Sequence, residues 1–277
     1  MIKETDWILD NKLKTNDTLF AIGDIHGNYD SLKELTEYVD TNYPDAIKIS
    51  LGDIIDRGPK SIDCLNYVFD NYNEIIPGNH ELLLLGTCLG LEYYAETFFS
   101  NGGDWLYLLF KEKYNSKEYL LDILKIELGK NYDKLTQNNK LILGLDFDPT
   151  LHYKSGNILF VHGGIMPGMN YMDSIYGDNI YGFSDNSPVW IRDPFLNHKS
   201  SYCKDENNDD LVVVHGHSFE HYINHTPGIY TSVKWPKEYT RIDGYRLGLD
   251  TGNFDTGIHI GAIIENGRYK ILSCIRK

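Results

Sequence analysis

Five times along this chain a short apolar run stops at a glycine flanked by Asp, Asn or His. The runs end in Gly23-Asp24-Ile25-His26-Gly27, in Gly52-Asp53-Ile54-Ile55-Asp56-Arg57-Gly58, in Gly78-Asn79-His80-Glu81, in His162-Gly163-Gly164 and in His215-Gly216-His217. An apolar run of four to six residues bounded by glycine reads as a strand buried on both faces. Between the first three runs lie two stretches with helical spacing. One carries Leu32, Leu35 and Val39, with Asp30 or Ser31 as its start, and the other is "PKSIDCLNYVFDN", with Pro59 near its first turn. Strand, helix, strand, helix, strand predicts parallel βαβ units with right-handed crossovers. The carboxyl ends of parallel strands share one edge, and ligands sit in the crevice there. The recurrence therefore predicts one site fed by five strand ends.

The rest of the chain adds few constraints. Between about Asn101 and Gly144 it is rich in Tyr, Lys, Leu and Asn without strand pattern, which predicts a helical insertion, about 82–150 when the preceding apolar helix is included. Asn266-Gly267 between two apolar runs predicts a tight hairpin. The stretch 170–210, rich in Asn, Asp and Ser, reads as loop. No repeat or linker divides the 277 residues, so a single domain over 1–277 is expected. A formal net charge of −14 disfavours a partner held through a nucleic-acid backbone, because that attraction needs clustered Lys and Arg. The four cysteines (Cys64, Cys88, Cys203, Cys274) form no Cys-x-x-Cys pair, which argues against a zinc ribbon or a disulfide framework. The first residues are charged throughout, and no run approaches the ~20 apolar residues of a membrane helix. A soluble, cytoplasmic protein is expected, with no membrane partner.

Brought to one edge, the strand ends deliver Asp24, His26, Asp53, Asn79, His162 and either His215 or His217. That is an oxygen and nitrogen set sufficient for two divalent cations and unsuited to a thiolate site. Each donor sits beside a glycine that lets backbone approach closely. His152, His198, His221, His225 and His259 belong to no such pattern and read as surface or core residues.

In order and spacing these motifs resemble the calcineurin-like metallophosphoesterases, and within them the phosphoprotein phosphatase branch, whose pattern is GDxHG, GDxxDRG, GNHE, HGG and a later GH. The resemblance runs from about Phe20 to Leu272. "SNGGDWLYLL", "VWIRDPF" and "LDTG" look most like the small phage and bacterial serine/threonine phosphatases related to lambda phosphatase. It implies a four-layer α/β/β/α sandwich, an α/β fold with a helical insertion. It implies that Asp24, His26 and Asp53 hold one metal, and that Asp53 bridges to a second completed by Asn79, His162 and His217. Manganese is the first expectation, with Fe, Zn or Ni also suited to such donors. Arg57 and Arg192 would contact the phosphoryl group, with Asn79 beside it, and His80 oriented by Asp56 would protonate the leaving oxygen. The Gly-His pair matches Gly216-His217, which makes His217 the ligand and His215 a packing residue. Asn101, Gly102 and Gly103 either cap a helix or line the site. The implied activity is phosphomonoester hydrolysis by in-line attack of a metal-bridging hydroxide, on phosphorylated Ser/Thr in protein or on a small phosphorylated substrate. The alternatives are symmetrical cleavage of dinucleoside tetraphosphates and a non-catalytic relic serving as a binding module. The 101–150 insertion and the 170–210 loop would wall the cleft.

Overall fold

A computed structural model describes residues 2–113, 120–139, 151–177, 184–218 and 244–276. The strands are β1 (Ile2–Glu4), β2 (Ile8–Leu9), β3 (Leu19–Ile22), β4 (Ile47–Ser50), β5 (Glu74–Ile75), β6 (His152–Ser155), β7 (Ile158–Val161), β8 (Val212–His215), β9 (Arg246–Gly248), β10 (Ile258–Glu265) and β11 (Arg268–Ile275). The helices are α1 (Tyr29–Asn42), α2 (Ser61–Asn71), α3 (Asn79–Cys88), α4 (Glu92–Ser100), α5 (Asp104–Lys113), α6 (Leu120–Leu128), α7 (Tyr132–Asn139), α8 (Tyr171–Tyr176) and α9 (Asn253–Thr256).

The βαβ expectation holds. β3, β4 and β5 pair in parallel, from Leu19 opposite Ile47 to Ser50 opposite Ile75, with α1 and α2 as the crossovers. They belong to a seven-stranded sheet ordered β1-β11-β10-β3-β4-β5, with β2 also on β11. β10 and β11 form the expected hairpin, Glu265 facing Arg268 across a turn where Gly267 takes φ 71. The other two site strands, β7 and β8, lie parallel in a second sheet ordered β6-β7-β8-β9. The single shared edge read from the sequence is therefore corrected. The five strand ends come three from one sheet and two from another, because strand pattern specifies burial and not which sheet accepts the strand.

Alternating side chains show how the layers stack. Leu19 and Ala21 of β3, Ile158 and Phe160 of β7, and Val212 and Val214 of β8 share one buried cluster between the sheets. Phe20 and Ile22 face the other way, toward Leu32, Leu35 and Val39 of α1 and Leu65 and Val68 of α2. Leu159, Val161 and Val213 pack outward on Ile175 of α8 and on Val189, Ile191 and Phe195. Helix, sheet, sheet and outer cover give the α/β/β/α sandwich. The insertion is helical where described, as α3 to α7. The 170–210 loop reading is corrected at α8, a six-residue helix whose N-cap Asn170 accepts the Met172 N–H through its side chain. Strands β1 and β2 lie in a segment that carried no strand prediction. Among the described residues no helix is long and apolar enough to cross a membrane.

Candidate active site

The loops that follow β3, β4, β5, β7 and β8 meet and are tied to one another by hydrogen bonds. His162, following β7, donates Nδ1–H to the Leu51 carbonyl after β4 at 2.7 Å. The Gly216 N–H, following β8, donates to the His162 carbonyl at 2.8 Å. The next N–H, of His217, donates to Asp24 Oδ1 at 2.9 Å, which ties the second sheet to the loop after β3. Gly52 and Gly78 approach so closely that a Cβ at either would overlap the backbone of the other loop. This is why glycine stands beside the polar residues.

Asp53 occupies the centre. Its Oδ1 lies 3.4 Å from His162 Nε2, and its Oδ2 lies 3.9 Å from both His26 Nε2 and His80 Nε2. Asp24 Oδ2 is 3.9 Å from His26 Nε2 on the same side. His26, Asp53 and His80 form one group able to surround a cation, and Asp53, His162 and His217 a second, with Asp53 common to both. All six predicted ligands are buried and converge here, and His217 rather than His215 faces the group. His215 points away, its ring edge-on to Phe195 and its Nδ1–H on the Gly216 carbonyl. His80 lies near enough to count among the candidate ligands, which the sequence did not suggest.

The donor chemistry fits divalent cations. A carbonyl oxygen only accepts, so the imidazole nitrogen facing it carries the proton. His26 Nδ1–H is fixed on the Ile55 carbonyl (2.9 Å) and His217 Nε2–H on the Trp190 carbonyl (3.2 Å). The second nitrogen of each ring is left as a lone pair turned inward, the arrangement that orients metal-ligating histidines. Burial, followed by the charge of His80, holds His26 well below the usual imidazole range. Burial and the charges of His162 and Arg192 do the same to His217. At His162 three acceptors crowd together, its Nε2, Asn79 Oδ1 at 3.0 Å and Asp53 Oδ1. Burial disfavours the imidazolium there, yet the Asp53 and Asp24 carboxylates push its pKa up to about 9. A proton thus takes the position where positive charge is required, and a metal cation would answer the same demand. Asp24 shows the same deficit, its carboxyl held well above the usual range by burial and then by the charges of Asp250 and Asp53. Asp53 is held well below it, because His162 and His80 outweigh the effect of burial.

His80 Nδ1 and Asp56 Oδ2 are 2.6 Å apart, both groups buried. Burial alone would lower the imidazole's pKa, but Asp53 and the bond to Asp56 raise it. Arg57, exposed, turns its guanidinium onto His26 Nε2 (2.8 Å) and His80 Nε2 (3.3 Å). It is stacked at 4.4 Å on the ring of Phe254. Arg192 is exposed, two residues beyond the Trp190 carbonyl that receives His217. Asn101 caps its helix by donating Nδ2–H to the Thr97 carbonyl, and Gly102 alone of its trio touches the site, its carbonyl accepting the Arg57 N–H. His259 is buried in the core, and His152 and His198 are half-buried, while His221 and His225 lie outside the described residues.

Sequence reasoning passed over several contributors. Glu81 accepts the N–H of Asp53 (2.9 Å), Ile54 (2.8 Å) and Gly78 (2.8 Å), with Ile55 more distant at 3.4 Å. Its place inside GNHE was the available signal. Asp250 is buried beside Asp24, and Asn253 donates Nδ2–H to the Asp24 and Ile25 carbonyls. Trp105 reaches Asp56 from the insertion.

The calcineurin-like phosphoesterase profile matches residues 18–248. Among curated proteins, the symmetrical bis(5'-nucleosyl)-tetraphosphatase of Actinobacillus pleuropneumoniae serotype 3 (strain JL03) is 40% identical over 75 residues, 26% of this chain and 28% of that protein. Serine/threonine-protein phosphatase 1 of Salmonella typhimurium is 31% identical over 87 residues, 31% of this chain and 39% of that protein. The chain thus spans well under half the length of these curated relatives. A crystal structure described as that of a candidate diadenosine tetraphosphatase superposes with TM-score 0.50 at 17% identity, covering 96% of this chain and 98% of that one. A protein serine/threonine phosphatase from Saccharomyces cerevisiae does so with TM-score 0.50 at 12% identity, covering 95% and 81%. At such identities the likeness concerns the fold.

Proposed function

Since the chain belongs to the calcineurin-like phosphoesterase family, we propose that it is a two-metal phosphatase hydrolysing phosphomonoesters, with phosphoserine and phosphothreonine in protein as substrates. Asp24, His26 and Asp53 would hold one cation, and Asp53, Asn79, His162 and His217 the other. Manganese suits these donors, as do Fe, Zn and Ni. Bound there, the pair would supply Lewis acidity toward phosphoryl oxygens and make water a nucleophile at neutral pH. The chain's own residues do the rest. Arg57, free to leave His26 because it is exposed, offers a planar fork of donors to phosphoryl oxygens, and Arg192 offers a second. His80 gives a proton from Nε2 to the leaving oxygen while Nδ1–H stays on Asp56, whose charge supports the imidazolium. The reading takes residues 1–277 as one domain, supported by β1 pairing with β11 across nearly the whole chain.

The observation that carries this reading is the buried His80–Asp56 pair, 3.9 Å from Asp53. A built-in acid matters most for an alkoxide, the poorest leaving group among the candidates. Symmetrical cleavage of dinucleoside tetraphosphates is the second reading, favoured by the 40% identity to an enzyme of that name. A panel of phosphoserine and phosphothreonine peptides, dinucleoside tetraphosphates, capped RNA and 2′,3′-cyclic nucleotides, each with added Mn²⁺, tests the choice. The phosphopeptides are expected to give the highest kcat/KM. A tetraphosphate exceeding them by tenfold or more would replace the first reading with the second.

A further inference from the structure

The insertion touches the acid through Trp105, a residue of the "SNGGDWLYLL" stretch to which no role has so far been given. Trp105, in the first turn of α5, donates its indole Nε1–H to Asp56 Oδ1 at 2.5 Å, while Asp56 Oδ2 receives His80. The Asp56 backbone N–H is held by Ser61 Oγ at 3.0 Å, so the N–H and both carboxylate oxygens of Asp56 are engaged. The same corner of the insertion supplies the Gly102 carbonyl to the Arg57 N–H at 3.1 Å. Gly102 takes φ +100, and a Cβ there would press on Arg57. Phe98, fully buried, stands edge-on to the Trp105 ring at 6.4 Å and steadies it.

We propose that Trp105 is a positioning residue for proton delivery: by occupying Oδ1 of Asp56 it fixes the carboxylate plane, turns Oδ2 onto His80 Nδ1, and keeps His80 Nε2 aimed at the leaving oxygen. The inference rests on His80 being the proton donor. A carboxylate bonded at one oxygen can rotate about Cβ–Cγ. Bonded at both, from two different elements, it cannot. Without the indole N–H, one buried oxygen loses its donor, and the carboxylate is free to turn toward any other. His80 then loses the acceptor that sets its tautomer and direction.

The test compares Trp105→Phe, His80→Asn, the double variant and the wild type, all Mn-loaded, on a phosphoserine peptide and on p-nitrophenyl phosphate. Trp105→Phe is expected to lose on the order of tenfold in kcat/KM on the peptide, the effect of one hydrogen bond to a charged group. The loss should be several-fold smaller on the nitrophenyl ester, whose leaving group needs no proton, with metal content unchanged. In the His80→Asn background the same substitution should change nothing, since no acid remains to be positioned. Equal losses on both substrates, or an undiminished loss in the His80→Asn background, would reduce Trp105 to packing and overturn the inference. If His80→Asn itself hits both substrates equally, the acid assignment falls and this inference with it. If His80→Asn discriminates and Trp105→Phe does not, only this inference falls. Should Trp105→Phe be unstable, β-(3-benzothienyl)alanine at position 105 replaces the indole N–H by sulfur at nearly equal volume and yields the same comparison.

Discussion

Glu81→Gln is the substitution whose cost can be worked most directly from the geometry. The Glu81 carboxylate receives Asp53 N–H and Gly78 N–H on Oε2, and Ile54 N–H with the more distant Ile55 N–H on Oε1. It thereby staples the loop after β4, which carries Asp53, to the start of α3, which carries Asn79 and His80. Glutamine keeps one acceptor and replaces the other by NH₂. The less costly flip leaves the amide oxygen on Asp53 and Gly78 and turns NH₂ against the Ile54 N–H. One charge-assisted bond is then lost, about 1.5–3 kcal/mol, and two others weaken from charged to neutral by about 1 kcal/mol each. The sum is on the order of 3–5 kcal/mol, a large fraction of the ~5–15 kcal/mol that stabilises a typical domain. For a chain of this size Tm should fall by roughly 10 °C. Asp53 loses the brace on its backbone, so metal affinity should also fall, by about 10–100-fold as for supports of metal ligands elsewhere. Urea unfolding followed by tryptophan fluorescence, with and without Mn²⁺, together with elemental analysis, measures both. Burial and the charge of Asp53 push the Glu81 pKa upward, against the pull of the Gly78 N–H. A Gln variant within about 1 kcal/mol of wild type would therefore mean that Glu81 is protonated in the fold, and the argument from a charged staple would fail.

Asp53→Asn should lower metal content and turnover together, because both candidate groups share this carboxylate; two metals retained at wild-type occupancy would refute its bridging place. Arg57→Ala and Arg192→Ala should each cost on the order of 2–4 kcal/mol in kcat/KM with metal content intact. Unchanged kinetics for Arg192→Ala would return that exposed side chain to the surface. His80→Asn should keep the fold and both metals while losing about 10²–10⁴-fold on phosphoserine and distinctly less on p-nitrophenyl phosphate. Loss of a metal in this variant would mean that His80, close to Asp53 Oδ2, acts as a ligand instead.

The strands and their polar ends could be read from the chain because both are local. Leu19–Ile22 is apolar throughout, since a sheet covered on both faces asks for that, and the polar residues follow wherever the cover stops. What escaped was non-local. Nothing in "NILFVHGG" or "LVVVHGH" says that these strands join each other and not β3 and β4; that is decided by Ile158 and Val212 pairing across more than fifty residues. β1 is three residues with little burial and exists because Cys274, Ser273 and Leu272 lie beside it. Glu81 stands in plain view within GNHE, but its partners are N–H groups, which no side-chain pattern displays. Trp105 stood inside "SNGGDWLYLL" with nothing to mark its indole as a donor, and only the approach of Asp56 reveals its polar role.

The site residues also hold themselves in place. Among the described residues six non-glycine positions take positive φ, and five of them are His26, Asp53, Asp56, Arg57 and His217. A left-handed residue costs on the order of 1–2 kcal/mol, so five at one site persist only if something compensates each. Every one has its backbone N–H committed. His26 donates to the Asp53 carbonyl, Asp53 to Glu81, Asp56 to Ser61, Arg57 to the Gly102 carbonyl and His217 to Asp24 Oδ1. Two of those acceptors are carboxylates crowded by like charge, Asp24 beside Asp53 and Asp250, and Glu81 beside Asp53. Cations held by Asp24 and Asp53 would relieve that crowding and so keep the Asp24 and Glu81 carboxylates ionised as acceptors for the strained loops. Metal binding and loop geometry would thus be coupled through these carboxylates. The glycines admit the close approach, and the carboxylates hold the strained neighbours that result.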